Sequence, residues 1–415
     1  MWGLEVRDIN IAVILRSNAT EDLLFRMWTY AMNFFRDTTL APRNGHGRHY
    51  ELRYPEHVAL IFYLSGLPMR LWLLLCLLVS SSAAFAQTPI PVKVVVIAMF
   101  EQGADTGDAP GEFQYWVERE HLDKVLPFPA GFHDLRMNNN GVLGILIGVG
   151  TARAASSIMA LGLDPRFDLT HAYWIVAGIA GGNPANTSLG SAVWARWVVD
   201  ADLAYEIDAR EIPADWPTGY VPLRKSTPYE QPANGQLGQV YQLDLPLVQW
   251  AYQLTKDVSL PDNATIAERR SHFSQPAAKK PPFVFLGDDL SGSTFWHGAK
   301  MDAWANAWVS YYTEGNGNFA VTGMEDTGTL QALTFLAHAG KVDWNRILVL
   351  RTVSNYDQPP PGMTAAESLA AEKLGTYSAF LPALENAYAV GHVVVDKLVA
   401  DWPHVRDQVP QNENK

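Results

Sequence analysis

The chain has 415 residues, a formal net charge of −12 and 48% hydrophobic residues. This acidic balance argues against nucleic acid and anionic membrane surfaces as partners. The single cysteine, Cys76, lies within the first 86 residues, so disulfides and thiolate metal sites are excluded from residues 87–415.

An apolar segment near the start of the chain has the parts of a secretory signal peptide in their usual order. An arginine precedes the apolar run Leu71–Val79, a serine run follows, and Ala84-Phe85-Ala86 matches a small-residue cleavage site. The apolar run is shorter than the ~20 residues of a membrane-spanning helix. We therefore expect residues 69–86 to be a signal peptide, residues 1–68 to be a spurious extension upstream of a true start at Met69, and the mature chain to be periplasmic or secreted.

Residues 87–415 contain short apolar runs that are followed by glycine-rich or polar turns. Strands are predicted at Val92–Met99, Gly141–Ile147, Tyr173–Ala177, Phe283–Leu286, Ala320–Thr322 and Ile347–Leu350. Helices are predicted at Thr151–Ala160, Thr329–Ala339 and Ala379–Asp401. The alternation is typical of one α/β domain, and none of its apolar runs is long enough for membrane insertion.

The stretch Ala209–Lys280 has a different composition from its surroundings. It is rich in Pro, Gln and Asn, and its helical patterns are interrupted. We interpret it as an insertion or lid on the same domain.

Clusters of Gly, Asp, Glu and Asn follow several of the predicted strands. Ligands of α/β sheets bind outside the carboxyl ends of the strands, so these clusters together predict one shared crevice. A single glycine turn after a strand would be ordinary loop chemistry.

The order of these clusters resembles the nucleoside phosphorylase/nucleosidase superfamily, and within it the purine nucleoside permease family. The matching stretches are Met99-Phe100, Gly148–Ala154, Ala177–Gly182, Gly287-Asp288, Gly323–Gly328 and Arg351–Asp357. The resemblance spans about Val92 to Asp401. It implies a single domain with a central mixed, mostly parallel sheet flanked by helices.

The resemblance also implies roles for residues after the last two strands. Met324 and Glu325 take the place of the pair that holds the ribose, where a carboxylate accepts hydrogen bonds from sugar hydroxyls. Asn355 takes the place of the residue that contacts the purine base, and as an amide it can donate a hydrogen bond but no proton. Asp357, two residues on, is the alternative acid, although Asn-Tyr-Asp-Gln-Pro is also a common turn sequence.

The group that attacks the sugar is expected to be water rather than phosphate. Val176 stands where phosphorylases of the superfamily carry a phosphate-binding arginine. Gly150 and Arg153 remain an alternative anion site at a helix N-terminus, although Arg153 also suits a solvated helix surface. For hydrolysis, Glu101 is the first candidate for the general base and Glu112 the second.

Aromatic residues provide the expected stacking surface for a purine. Phe295 and Trp296 lie where the superfamily places its base-stacking aromatic, and packing in the core is the alternative role. The neighbouring His297 has no second histidine at metal-ligand spacing, so neither a metal nor another cofactor is expected.

The sequence therefore predicts cleavage of the N-glycosidic bond of purine nucleosides, with hydrolysis favoured over phosphorolysis. The alternative is a nucleoside-binding protein of an uptake system. Phosphate as a second ligand and a homo-oligomer are left open.

Overall fold

The computed structural model describes residues 88–233, 238–373 and 378–411. The predictions for residues 1–68 and 69–86 fall outside these ranges. None of the described helices is long and apolar enough to span a membrane.

The described residues form an alternating series of strands and helices. The strands are β1 (Ile90–Pro91), β2 (Val94–Ala98), β3 (Lys124–Leu126), β4 (Leu135–Met137), β5 (Val142–Leu146), β6 (Phe167–Asp168), β7 (Tyr173–Gly182), β8 (Ala192–Asp200), β9 (Ala204–Glu206), β10 (Tyr220–Pro222), β11 (Val240–Gln242), β12 (Val284–Ser291), β13 (Phe319–Gly323) and β14 (Ile347–Tyr356). The α-helices are α1 (Gln114–Arg119), α2 (Thr151–Gly162), α3 (Leu245–Thr255), α4 (Ala264–Ser271), α5 (Ala299–Tyr312), α6 (Asp326–His338), α7 (Ala365–Lys373), α8 (Phe380–Ala400) and α9 (Trp402–Val405). A 3₁₀-helix spans Trp344–Arg346.

One large mixed sheet organises the domain. Its strands follow the order β11-β8-β12-β13-β7-β2-β5-β4-β3, and β14 pairs with both β7 and β8. The strands β7, β13, β12, β8 and β14 therefore close on one another as a five-stranded barrel. Strand pairs β1–β6 and β9–β10 form two small separate sheets.

The predicted α/β class is confirmed, but the expectation of a mostly parallel sheet needs correction. Strand β2 pairs in parallel with β5 and β7, and β14 with β7. The barrel closes through antiparallel pairings of β13 with β7 and of β14 with β8. The reason is strand length: β7 has 10 residues, so its first half pairs with β2 and its last residues pair with β13.

The core lies between the sheet and the helices packed on it. Every residue of β2, β5 and β14 is buried, as expected for strands covered on both faces. Helices α2 and α6 pack closely because Gly328 has no side chain: a Cβ there would lie 2.1 Å from the carbonyl oxygen of Thr151. This contact brings the N-termini of both helices to the edge of the barrel where β7, β13 and β14 end.

Candidate functional site

A cavity of about 480 Å³ opens at the carboxyl ends of β7, β13 and β14. Its size is within the range of small-ligand sites. Gly181, Thr322 and Asn355 contribute to its wall from these three strands. The crevice that the strand-end clusters predict is thus present. No described residue of the stretch 209–280 lines it.

Met324 and Glu325 follow β13 directly and both line the cavity. The Glu325 side chain is buried, and its Oε1 accepts a hydrogen bond from the Gly150 backbone N–H at 3.2 Å. Its Oε2 accepts one from Arg351 Nη2 at 3.0 Å. Burial raises the pKa of Glu325, and the positive charge of Arg351 opposes that rise.

Arg351 is the central cation of the site, and sequence analysis gave it no role of its own. It is 1% exposed and donates two hydrogen bonds from Nε and Nη2 to the Asp326 carboxylate. Its Nη1 donates to the Ile179 carbonyl oxygen at 2.9 Å. The available signal was its position directly after the apolar run Ile347–Leu350, since an arginine that continues a buried strand requires paired carboxylates.

A second buried carboxyl, Asp289, lies behind this pair. Its Oδ1 accepts from the Gly323 backbone N–H at 2.9 Å, and the carboxyl group lies close to that of Asp326. Two carboxyl groups cannot hydrogen-bond to each other unless one of them keeps a proton. Burial and the charge of Asp326 raise the pKa of Asp289 well above its ordinary value, which fits a proton on Asp289.

Glu112 brings another carboxyl group into the cavity. It is 5% exposed, and its two oxygens accept hydrogen bonds from the backbone N–H groups of Met99 at 2.8 Å and Ile179 at 2.7 Å. Burial raises its pKa to about 8, although Arg351 lies close enough to oppose the rise. The approach depends on Gly178, because a Cβ at that position would lie 2.6 Å from Glu112 Oε1.

Glu101, the first candidate for the base, is not among the residues that line the cavity. Its carboxylate instead accepts hydrogen bonds from the backbone N–H groups of Gly111, Phe113 and Gln114. Glu101 therefore fixes the loop that carries Glu112. The structure brings the second candidate, not the first, to Glu325 and Arg351.

The end of β14 separates the two residues proposed to act on the base. Asn355 lines the cavity, its Oδ1 accepting from Ser354 Oγ at 2.8 Å. Asp357 is 1% exposed, does not line the cavity and faces the Asp302 carboxyl of α5. Burial and the charge of Asp302 raise the pKa of Asp357 well above its ordinary value, consistent with a proton shared by the pair.

The two adjacent aromatics also point to different places. Phe295 lines the cavity and is 51% exposed. Trp296 is buried and packs against Trp304 and Phe319, with ring centroids 6.2 and 6.1 Å apart, so it has the core role that was its alternative.

Two aromatics that sequence analysis did not assign, Phe100 and Phe380, also line the cavity. Their ring centroids lie 6.0 Å apart. Together with Phe295 they supply apolar surface against which a flat ring can pack.

The alternative anion site is already occupied by groups of the protein itself. The Gly150 N–H donates to Glu325, and the Thr151 N–H donates to Ser293 Oγ at 3.1 Å. Arg153 Nη1 donates to the Val149 carbonyl at 3.0 Å, and Arg153 does not line the cavity.

Among the described residues, Glu120, His392 and Asp396 have side chains close enough to hold a metal ion jointly. They do not line the cavity. The His392 nitrogens lie 2.6 Å from Glu120 and 3.3 Å from Asp396, an arrangement that a protonated histidine satisfies without a metal. His297, near the cavity, bonds Ser368 Oγ through Nε2.

A mixed sheet closed into a barrel, with a largely apolar cavity at its strand ends that also contains buried charged groups, defines a small-ligand site of the α/β class. Residues 91–410 match the sequence profile described as purine nucleoside permease (NUP), and the chain belongs to this family. A probable purine nucleoside permease of Schizosaccharomyces pombe is 34% identical over 266 residues, covering 62% of this chain and 75% of the relative. A purine nucleoside permease of Candida albicans is 30% identical over 329 residues, covering 78% and 79%. The family predicted from the motif order is thus confirmed.

Solved structures are also similar to this chain. A Streptococcus pneumoniae MTA/SAH nucleosidase in complex with 8-aminoadenine aligns with a TM-score of 0.44 and 16% identity, covering 73% of this chain and 99% of that one. A futalosine hydrolase of Helicobacter pylori aligns with a TM-score of 0.42 and 14% identity, covering 74% and 98%.

Proposed function

We propose that this chain binds purine nucleosides in the cavity and hydrolyses their N-glycosidic bond. The observation that carries the proposal is the meeting of Glu112, Glu325, Arg351 and Asn355, from three separate stretches of the chain, in one cavity. The names of the curated relatives support a purine nucleoside as the ligand.

The sugar is held by Met324 and Glu325 in this mechanism. Glu325 accepts hydrogen bonds from the ribose hydroxyls while Arg351 keeps its carboxylate oriented. As the bond between C1′ and the base breaks, positive charge develops on the sugar. The Glu325 carboxylate stabilises that charge, and it is already fixed by Gly150 and Arg351 before the reaction begins.

Glu112 is the group proposed to activate water. Its ionised carboxylate takes a proton from the water molecule as the oxygen bonds to C1′, and the base leaves with the electrons of the broken bond. Asn355 donates a hydrogen bond to the departing base, which then takes a proton from solvent. A base with a pKa near the working pH suits this role, because it accepts a proton strongly yet is partly ionised.

The charges around the cavity favour water over phosphate as the attacking group. Arg351 already serves the carboxylates of Glu325 and Asp326, and the Glu325 carboxylate itself lies at the cavity. A phosphate ion would meet the like charge of Glu325 at close range, whereas a neutral water molecule would not be repelled. We further propose that the reaction takes place outside the cytoplasm, in the periplasm or after secretion, following cleavage of residues 69–86.

The test is release of free base by the purified full chain. Inosine, adenosine and guanosine would each be incubated with and without phosphate, and base, ribose and ribose 1-phosphate separated by chromatography. Equal base release without phosphate, with ribose as the second product, is expected. Release that requires phosphate would refute hydrolysis.

The second function is a nucleoside-binding protein of an uptake system, and the permease names of the relatives favour it. Micromolar nucleoside binding without base release under any condition would establish this function instead. The export proposal is tested by sequencing the N-terminus of the protein from the periplasm or the medium, where a start at Gln87 is expected.

A further inference from the structure

One cavity residue, Glu372 near the end of α7, has no part in the chemistry proposed above. It lines the cavity together with Leu369 from the same helix. Glu112 and Glu325 are held by backbone and arginine donors, whereas no hydrogen bond to the Glu372 carboxyl occurs among the described residues. A carboxyl at a ligand cavity that no described residue hydrogen-bonds is available to the ligand.

The position of Glu372 is on the side of the cavity where β14 ends. Glu372 and Tyr356, the residue after Asn355, line the same small neighbouring crevice. The chain that follows α7 is also tied to this end, because the Ala379 N–H donates to the Ser354 carbonyl oxygen. If Asn355 contacts the purine and Met324-Glu325 the ribose, Glu372 lies on the side of the base.

We propose that Glu372 is a specificity-determining residue that recognises the hydrogen-bonding edge of the purine base. This inference rests on the proposed binding of purine nucleosides, and it names 6-oxopurine nucleosides as the preferred substrates. The ionised carboxylate accepts a hydrogen bond from a ring N–H, which 6-oxopurine nucleosides such as inosine carry at N1. Adenosine has an acceptor at N1, so it is repelled by the ionised carboxylate and requires the protonated form.

The same residue makes the preference depend on pH. Burial raises the pKa of Glu372 to about 7, and Arg269 of α4 is the charged group that opposes the rise. Other charged or titratable groups near its surroundings are Glu112, Glu325 and Arg351 in the same cavity, and His297 against Ser368 on α7. As the pH rises through 7, kcat/KM for inosine should rise relative to kcat/KM for adenosine.

The experiment compares inosine with adenosine in the full chain, in Glu372→Gln and in Glu367→Gln. Glu367 lies on the same helix and is exposed, and Thr364 is its only hydrogen-bond partner among the described residues, so it is the matched control. The ratio of kcat/KM for inosine to that for adenosine is measured at pH 6 and pH 8. Any titration of Glu112 affects both substrates and cancels in this ratio.

The wild-type ratio should rise about tenfold or more from pH 6 to pH 8, because the ionised fraction of a group with a pKa of about 7 rises about tenfold over that range. The control should behave like the wild type. Glu372→Gln should lose the pH dependence of the ratio, and Glu372→Asp, a shorter carboxyl, should lower the ratio at pH 8 yet keep some pH dependence.

Dissociation constants for both nucleosides, measured by calorimetry at the same two pH values, separate this inference from the proposed function. Absence of base release with an intact, pH-dependent binding ratio would refute hydrolysis and support the role of Glu372. An unchanged ratio and pH dependence in a folded Glu372→Gln would overturn the role of Glu372 whether or not base is released. If neither nucleoside binds, both proposals fail.

Discussion

Replacing Glu112 by glutamine tests the centre of the proposed mechanism. Glutamine keeps the size of the side chain and resembles the neutral form of the carboxyl, but it cannot take a proton from water. It also provides one acceptor oxygen where the carboxyl provides two, and those two oxygens serve the N–H groups of Met99 and Ile179. We therefore expect effects on both turnover and stability.

The size of each effect follows from the burial of this carboxyl. A rise in pKa from 4.5 in the unfolded chain to about 8 in the folded protein means that folding favours the neutral carboxyl over the ionised one by roughly 5 kcal/mol. Since the folded pKa lies above the unfolded one, the stability from this preference is complete below about pH 4.5 and is lost as the pH rises through 8. At low pH the variant should be less stable by about 1–3 kcal/mol, the cost of a buried N–H without an acceptor. That deficit should shrink, and can reverse sign, as the pH approaches 8.

Turnover should rise with pH, whereas the stability that the neutral Glu112 carboxyl provides falls with pH. The ionised base is needed, so wild-type kcat/KM should rise about tenfold per pH unit below pH 8 and then level off. In Glu112→Gln the rate should fall by roughly 10²–10⁴-fold, and the rising limb should disappear. Both proteins are assayed for base release from pH 5 to 9, with urea unfolding at the same pH values.

The Glu367→Gln control should match the wild type in both measurements, because Glu367 lies on the surface of α7. Full activity in a folded Glu112→Gln would show that another group activates water. A wild-type rate that is flat between pH 6 and 9 would show that the ionisation of Glu112 does not limit the reaction.

Three further changes test the fold and the cavity. In Gly328→Ala, the new Cβ would lie 2.1 Å from the Thr151 carbonyl oxygen, so the contact between helices must open at a cost of about 1–3 kcal/mol or more, measured as a lower Tm. The hydrogen bond to Glu120 raises the pKa of His392, so this pair stabilises the fold fully below about pH 6.5 and less as the pH rises through the raised pKa. In His392→Gln, the free energy of unfolding should therefore depend less on pH between pH 5 and 9. Phe295→Ala should weaken nucleoside binding by roughly 1–3 kcal/mol in calorimetry with little change in Tm, because the ring lines the cavity and is half exposed.

The buried strands could be predicted from the sequence, but their full lengths could not. The apolar run Tyr173–Ala177 predicted the first half of β7, which continues to Gly182. Glycines after an apolar run usually indicate a turn. Here Gly178 lies against Glu112, and Gly182 lies against Thr187 and Val353, so their lack of side chains permits close approach within a strand. Whether β7 ends at Ala177 or continues to Gly182 is decided by the closure of the barrel, which depends on residues far apart in the sequence.

One barrel strand, β8 (Ala192–Asp200), has no counterpart among the predicted elements. Its pattern is interrupted by Arg196, which pairs with Asp288 of the neighbouring strand at 2.6 Å. The sequence does not show that these two charges meet, because they are separated by 92 residues.

The residue types of the site could also be predicted, but the direction of each side chain could not. Phe295 and Trp296 are neighbours, and only the first lines the cavity. Asn355 and Asp357 would share a face of a regular strand. The pairing of β14 with β7 shifts register between Val353 and Asn355, and the strand ends at Tyr356. Asp357 therefore leaves the face that Asn355 occupies.

The carboxyl groups around Arg351 differ in ways that suit different tasks. Glu325 hydrogen-bonds Arg351 directly, so it keeps its negative charge more readily than Glu112, whose oxygens accept hydrogen bonds from two backbone N–H groups. One carboxylate is thereby available to stabilise positive charge on a sugar, and the other is able to accept a proton near neutral pH. Asp326 holds Arg351 through two hydrogen bonds, which fixes the guanidinium and leaves it little capacity for another anion. A phosphorolytic site needs that capacity and a hydrolytic site does not, which is why the mechanism we propose uses water as the attacking group.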